Sequence, residues 1–120
     1  MVRLTLEWSD IYAYTLSNVD IFAPLSAGVY KLSSLVASRH QMFYVSQAEN
    51  LNKELRGHLS AMEPNTCIRS NFWYYTCYFQ FAIVASRLDR DCAERALYDH
   101  YKTPCNTVPP HGEPCDINFD

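Results

Sequence analysis

The sequence has little glycine, no long apolar run and no excess of basic residues. Only 3 of its 120 residues are glycine and 6 are proline, while 48% are hydrophobic, which excludes collagen-like and intrinsically disordered proteins. The length is typical of one folded domain. The densest apolar run, residues 72–85, is interrupted by Thr76, Cys77 and Gln80, whereas a spanning helix needs roughly 18 consecutive apolar residues. We therefore expect no membrane partner.

A secretory signal and a regular cysteine pattern are also missing. Residues 1–7 contain one arginine followed by an acid, and they lack the apolar stretch and small-residue cleavage site of a signal peptide. Five cysteines, an odd number, stand at irregular spacings: Cys67, Cys77, Cys92, Cys105 and Cys115. Both features predict a cytoplasmic protein whose cysteines remain thiols, because a reducing compartment does not sustain disulfide bonds.

The charge is unevenly distributed along the chain. The formal net charge is −3, which argues against non-specific coating of nucleic acid, since phosphate binding needs clustered Lys and Arg. Residues 25–106 carry +2, whereas residues 1–24 carry −2 and residues 107–120, which contain three prolines, carry −3. This pattern predicts an N-terminal extension (1–24), a central domain (25–106) and an acidic, proline-containing tail (107–120).

Apolar periodicity predicts two helices, over about 48–60 and 88–102, where hydrophobic residues recur every three or four positions. Aromatic and β-branched residues predict strands over 28–32 and 41–45, joined by a loop, and a long central strand over 71–84. The order of these elements indicates an α+β fold, with a small three-stranded, mostly antiparallel sheet flanked by helices.

Five segments of residues 27–106 resemble the GIY-YIG nuclease family, in the family's order. They read GVY at 28–30, YVSQAENL at 44–51, LRGHL at 55–59, AERAL at 93–97 and PCN at 104–106. The resemblance implies that Tyr30, Tyr44, His58 and Asn106 are catalytic and that Glu94 binds one divalent cation, Mg²⁺ or Mn²⁺. His58 follows Tyr44 by 14 residues and Asn106 follows Glu94 by 12, as the family pattern requires.

One position departs from the family pattern in a way that affects the chemistry. Glu54 stands where the family has an arginine that stabilises the charge on the scissile phosphate, and a carboxylate there repels that charge. Lys53 and Arg56 are the neighbouring cations and are weak candidates for phosphate contacts, since Arg56 lies nearly opposite Glu54 on a helix. The second motif also ends in Ser46 instead of glycine, followed by Gln47 where many members have lysine.

Each candidate also has an ordinary structural explanation. Strand tyrosines usually pack in the core, and His58 could pair with Glu54 one helical turn away. Glu94 could form an exposed ion pair with Arg90 or Arg95. Asn106 follows Thr103-Pro104, a sequence typical of a turn.

Two further patterns each have a functional and a structural interpretation. The aromatic block 72–75 could be a platform for stacking bases, but a buried strand is the simpler explanation. A second set could be read as zinc ligands, but its spacing matches no compact ligand motif, and we expect no metal there. That set is Cys105, His111, Cys115 and Asp116.

The resemblance implies an endonuclease domain that hydrolyses DNA phosphodiesters with one divalent cation, with activity weakened or lost through Glu54. The alternative is a catalytically inactive domain of the same fold that binds nucleic acid or another protein. A third interpretation is an α+β scaffold whose aromatic strand and acidic ends form a homodimer.

Overall fold

The computed structural model describes residues 2–120, which form six strands and four helices. In chain order these are β1 (Arg3–Leu4), β2 (Tyr12–Ala13), α1 (Leu16–Phe22), β3 (Gly28–Val36), β4 (Arg39–Ala48), α2 (Leu51–His58), α3 (Thr66–Tyr74), β5 (Cys77–Ile83), α4 (Arg87–Tyr101) and β6 (Asp116–Ile117).

The main sheet confirms the α+β class but has one strand more than the sequence predicted. Within residues 2–120 it contains four antiparallel strands in the order β2-β5-β3-β4, and β1 and β6 form a separate parallel pair. The additional strand, β2, pairs with β5 through Tyr12 and Phe79. It has only two residues, too few to produce an alternating pattern in the sequence.

The strands β3 and β4 are longer than predicted because they continue through the expected loop to a two-residue turn. Both turn residues, Ala37 and Ser38, have positive φ, at 49° and 66°. Positive φ at both central residues is what a tight hairpin requires, and it is usually provided by Asn-Gly or Gly-Gly. The hairpin therefore has the expected backbone but not the residues by which a sequence reveals it.

The predicted strand over 71–84 is wrong in its first part. Residues 66–74 form helix α3, whose N-cap Asn65 accepts a hydrogen bond from the backbone N–H of Ile68, and only residues 77–83 form the central strand β5. The aromatic block is consequently not a buried strand: Trp73 is 83% exposed and Tyr74 is 75% exposed. The homodimer interpretation stays a prediction.

Alternation along β3 gives the sheet two apolar faces. Val29 packs with β4, β5 and α4, whereas Tyr30 packs on the other face with helices α1, α2 and α3. Gly28 begins β3 where the backbone of β5 approaches closely, since a Cβ atom there would lie 2.2 Å from the carbonyl oxygen of Ala82. A side chain at position 28 would therefore push β3 away from β5.

The expectation that the cysteines remain thiols is wrong. Cys67 is bonded to Cys105 and Cys92 to Cys115, which leaves Cys77 as the one free cysteine of residues 2–120. The Cα atoms of the two pairs lie 5.2 and 5.3 Å apart, within the range that a disulfide spans. The pairing depends on tertiary contacts, which sequence spacing does not reveal. The cysteines therefore give no support to the expected cytoplasmic location.

The two ends of the chain pack against each other and against α4. Leu6 and Asn118 exchange hydrogen bonds between backbone and side-chain amide, at 2.7 and 2.8 Å. Ile117 is buried in the same apolar cluster as α4, and the Cys92–Cys115 disulfide fixes this segment to the helix.

The division into extension, central domain and tail stays a prediction. None of the helices in the described chain is long and apolar enough to cross a membrane.

Candidate active site at the edge of the sheet

Three of the predicted site residues form one cluster on the face of the sheet that α2 covers. Tyr30 lies on β3, Tyr44 lies on β4, and His58 is the last residue of α2. The ring centroids of the two tyrosines are 6.2 Å apart, and those of Tyr44 and His58 are 5.4 Å apart. The Tyr30 hydroxyl lies 2.7 Å from Nε2 of His58. The spacing of these residues along the sequence thus corresponds to proximity in the fold.

The two phenols differ in their access to solvent. Tyr30 is 1% exposed, and its burial raises its pKa well above the ordinary value. Tyr44 is half-buried, and burial is also the main reason that its pKa is raised; the Ser46 hydroxyl opposes this shift, and the charge of Glu94 adds to it. Tyr44 is therefore the more accessible phenol, whereas the hydroxyl of the buried Tyr30 is hydrogen-bonded to His58.

Glu94 approaches this cluster from the opposite face of the sheet. It lies on α4, and its two carboxylate oxygens accept hydrogen bonds from Ser46 Oγ at 3.3 Å and from Gln47 Nε2 at 3.2 Å. Both partners lie on β4, the edge strand of the main sheet that also carries Tyr44. The neighbouring carboxylate of Asp91 accepts a shorter bond from the same Gln47 Nε2, at 2.6 Å.

The alternative in which Glu94 forms an ion pair with its neighbours on α4 is wrong. Arg95 donates to Asp99 at 3.0 Å. Arg90 is buried and donates to the carbonyl oxygens of Val84 and Ala85. Glu94 takes part in none of the ion pairs of residues 2–120, so its carboxylate is held only by long hydrogen bonds from neutral side chains.

This carboxylate fits a magnesium ion of the expected kind. Mg²⁺ prefers oxygen ligands, retains several waters and commonly needs only one or two protein carboxylates. Glu94 has neutral partners at more than 3 Å, so its oxygens keep lone pairs that a hard cation can use. No cluster of three or more His, Cys, Asp or Glu suitable for an all-protein metal site occurs among residues 2–120, and this includes the zinc set, whose two cysteines are in disulfides.

Asn106 lies on the outer edge of β4. Its side-chain amide bonds both backbone groups of Val45: Oδ1 accepts from the N–H at 3.1 Å, and Nδ2 donates to the carbonyl oxygen at 2.8 Å. The backbone N–H of Cys105 donates to the carbonyl oxygen of Phe43 at 2.9 Å. Asn106 therefore contacts the strand that carries Tyr44 and Ser46, and its role goes beyond a local turn.

Glu54, which stands where the family has an arginine, lies in a groove beside this cluster. We call this groove the α2 cleft. It is lined mainly by Lys53, Glu54, Gly57, His58, Ser60 and Glu63. Arg56 does not line this cleft, because its guanidinium binds Asp20 of α1. Of the two cations that the sequence suggested for phosphate contacts, the structure brings only Lys53 to the cleft, next to the carboxylate of Glu54.

Two groups near the site were missed by the sequence analysis. His58 does not pair with Glu54 as that interpretation held; its Nδ1 lies 3.0 Å from Oε2 of Glu63, in the segment between α2 and α3. Arg87, at the start of α4, lines a second groove with Glu94 and the tail segment 108–112. Neither residue has a periodic signal, since Glu63 lies outside a helix and Arg87 resembles any exposed helical arginine.

Comparisons with known proteins agree with this arrangement at the level of fold. No protein-family model and no curated protein sequence matches the chain. Among solved structures, the GIY-YIG N-terminal endonuclease domain of UvrC from Thermotoga maritima, bound to its catalytic magnesium ion, matches with a TM-score of 0.61 and 18% identity over 76% of this chain and 93% of that domain.

Two variants of the same Thermotoga domain, each bound to its catalytic divalent cation, also match. One has an asparagine replaced by alanine (TM-score 0.61, 16% identity, 77% of this chain and 93% of that one). The other has a tyrosine replaced by phenylalanine (TM-score 0.59, 16% identity, 78% and 96%). At such low identity the likeness concerns the fold, and it agrees with the order of the sequence motifs: the chain has the GIY-YIG nuclease fold.

Proposed function

We propose that this protein is an endonuclease domain that hydrolyses DNA phosphodiesters with one divalent cation, Mg²⁺ or Mn²⁺. The observation that supports the proposal most is the contact between the Tyr44 and His58 rings, together with the Glu94 carboxylate bonded to Ser46 and Gln47 on the strand that carries Tyr44. These are two proton-handling groups and one hard oxygen ligand, the groups needed for metal-assisted hydrolysis. The Thermotoga domain with the same fold is an endonuclease domain that binds a catalytic magnesium ion.

In this proposal the two aromatic hydroxyls have different tasks. Tyr44 is half-buried and orients the attacking water through its hydroxyl group. His58 accepts a proton at Nε2 from the Tyr30 hydroxyl that is hydrogen-bonded to this atom, and the Tyr30 oxygen in turn takes the proton that the water releases. Glu94 would hold the cation, which would supply positive charge that stabilises the phosphoryl transition state. Asn106 fixes β4, and with it the positions of Tyr44 and Ser46.

A second candidate function is binding of nucleic acid or protein without cleavage. It is favoured by Glu54, a carboxylate in the α2 cleft, and by Arg56, which is held by Asp20 outside that cleft. A phosphate entering the cleft finds one cation, Lys53, beside one carboxylate. This arrangement gives little of the preorganised positive charge that stabilises a phosphoryl transition state.

Cleavage of supercoiled plasmid with Mg²⁺ or Mn²⁺ distinguishes the two functions. We expect slow nicking by the wild type and at least about tenfold faster nicking by Glu54→Arg, since one correctly placed donor contributes a factor of about 100 to 1,000 in such sites. Glu7→Arg makes the same charge change at an exposed residue outside the cleft and is the matched control. Tyr44→Phe in the Glu54→Arg background should abolish nicking.

Several outcomes would contradict the proposal. If Glu54→Arg and Glu7→Arg accelerate nicking equally, the effect is one of overall charge. If neither the wild type nor Glu54→Arg nicks DNA with either cation, the endonuclease proposal fails. Retardation of the same DNA by the uncleaving wild type would then support the binding function.

A further inference from the structure

Glu63 is a buried carboxylate that the family pattern does not include. It lies between α2 and α3 and is 8% exposed. Its two oxygens have separate partners: Oε2 lies 3.0 Å from Nδ1 of His58, and Oε1 accepts the backbone N–H of Asn65 at 3.1 Å. Burial of a carboxylate is costly unless its oxygens are hydrogen-bonded. Both oxygens of Glu63 are thus engaged by N–H groups.

The contacts of His58 determine which ring nitrogen carries the proton. An ionised carboxylate can only accept hydrogen bonds, so Nδ1 of His58 must be the donor to Glu63. In the neutral imidazole Nε2 is then the acceptor, and the Tyr30 hydroxyl, 2.7 Å away, donates to it. The hydrogen bonds therefore run in one direction, from Tyr30 through His58 to Glu63.

We propose that Glu63 is a positioning residue that holds His58 in the Nδ1–H tautomer with Nε2 directed at Tyr30. The inference deepens the proposed function and rests on it, because only this tautomer presents a lone pair on Nε2 that can accept a proton. In the other tautomer Nε2 carries a hydrogen and can only donate to the Tyr30 oxygen. Glu63 acts through His58 and does not itself touch the substrate.

Glu63→Gln is a sharp test, because glutamine has one acceptor oxygen where glutamate has two. If the amide oxygen stays on the Asn65 N–H, the amide nitrogen faces Nδ1 of His58 and favours the Nε2–H tautomer. The opposite orientation is disfavoured, because it places the amide nitrogen against the Asn65 N–H, donor against donor, at the start of α3. Glu63→Asp keeps two acceptor oxygens on a shorter side chain and is the rescue variant.

The tautomer of His58 can be read by NMR of protein labelled with ¹⁵N-histidine at pH 8, with His58→Gln identifying the signals. We expect Nδ1–H in the wild type and in Glu63→Asp, and a mixed or Nε2–H population in Glu63→Gln. Glu113→Gln, the same change at an exposed residue in the tail, should leave the tautomer unchanged. Because the wild-type spectrum already decides the direction of the hydrogen bonds, the test does not depend on a variant that folds.

Plasmid cleavage gives the second readout. Glu63→Gln should lower kcat by about 100-fold with KM unchanged, the lower end of what a positioned proton acceptor contributes. An Nε2–H tautomer in the wild type, or an unchanged tautomer in Glu63→Gln, overturns the inference. An Nδ1–H tautomer that is lost in Glu63→Gln confirms that Glu63 positions His58 even if neither the wild type nor Glu54→Arg cleaves DNA, a result that removes the proposed function.

Discussion

Removal of the Cys67–Cys105 disulfide should destabilise the protein strongly. The bond closes a loop with a sequence separation of 38 residues. The loss of chain entropy in the unfolded state then contributes about 4 kcal/mol to the free energy of unfolding, a large part of the roughly 5–15 kcal/mol typical of a domain. Each cysteine-to-alanine substitution deletes a single sulfur atom, so Cys67→Ala with Cys105→Ala removes the covalent bond and little volume.

Urea denaturation under oxidising conditions measures this effect, and mass spectrometry without reductant verifies the pairing. We expect the double variant to unfold at a clearly lower urea concentration than the wild type, and the reduced wild type, which has lost both disulfides, to unfold at a lower concentration still. If reduced and oxidised wild type unfold at the same concentration, the bond does not constrain the unfolded chain and the reasoning is refuted.

The second disulfide, Cys92–Cys115, provides a matched control. Its sequence separation of 23 residues predicts a stabilisation of about 3 kcal/mol by the same relation, yet it joins α4 to the tail and not to the segment that carries Asn106. Loss of the Cys67–Cys105 bond frees the residue next to Asn106. We therefore expect comparable losses of stability from the two double variants, and a loss of cleavage beyond the loss of folded protein only when Cys67–Cys105 is removed.

Two further predictions concern a metal ligand and a buried cation. Calorimetric titration with Mg²⁺ or Mn²⁺ should show one weak site in the wild type and in Glu113→Gln and none in Glu94→Gln; identical isotherms for all three would exclude Glu94 as a ligand. Lys31 is 3% exposed, with its ammonium 4.3 Å from the centre of the Trp8 ring, and burial lowers its pKa to about 8. The unfolded state then binds more protons between pH 8 and the ordinary lysine pKa, so stability should rise by about 2 kcal/mol from pH 7 to pH 9.5. Lys31→Met should not show this rise in urea denaturation, and parallel pH profiles for the two proteins would contradict the prediction.

The parts of the fold with long regular patterns could be predicted from the sequence. Helix α4 begins at Arg87, next to the predicted start at 88, because Ser86 caps it and apolar residues recur along one face. Helix α2 and the centres of β3 and β4 were also located correctly. The two-residue strands have no pattern, and the Ala37–Ser38 turn lacks the glycine or asparagine that marks such hairpins.

Helix α3 shows how local propensity misleads. Residues 71–75 are mainly aromatic and favour a strand when taken alone. The structural outcome depends on the cap at Asn65, on the packing of Ile68 and on the disulfide at Cys67, all of which lie before the aromatic residues. The sequence does contain a cap signal, Asn65 after Pro64, which the strand prediction did not use.

The candidate site was predictable only as far as the family motifs reach. Tyr30, Tyr44 and His58 meet because their spacing is tied to the fold. The contact of Glu63 with His58 depends on how the loop after α2 packs, and the contact of Arg56 with Asp20 depends on how α1 packs. The spacing of residues in the sequence indicates neither contact.

The bonds that Asn106 makes to Val45 have a consequence for solubility. A ten-residue edge strand such as β4 presents backbone groups to which a strand of another molecule can add, and this is a common route to aggregation. The amide of Asn106 and the N–H of Cys105 occupy those groups at Val45 and Phe43. Replacing Asn106 by alanine would therefore expose the backbone N–H and carbonyl groups of Val45 to pairing with another molecule, as well as alter the site. If the variant is inactive, it must be shown to be monodisperse before its loss of activity is assigned to the chemistry of the site.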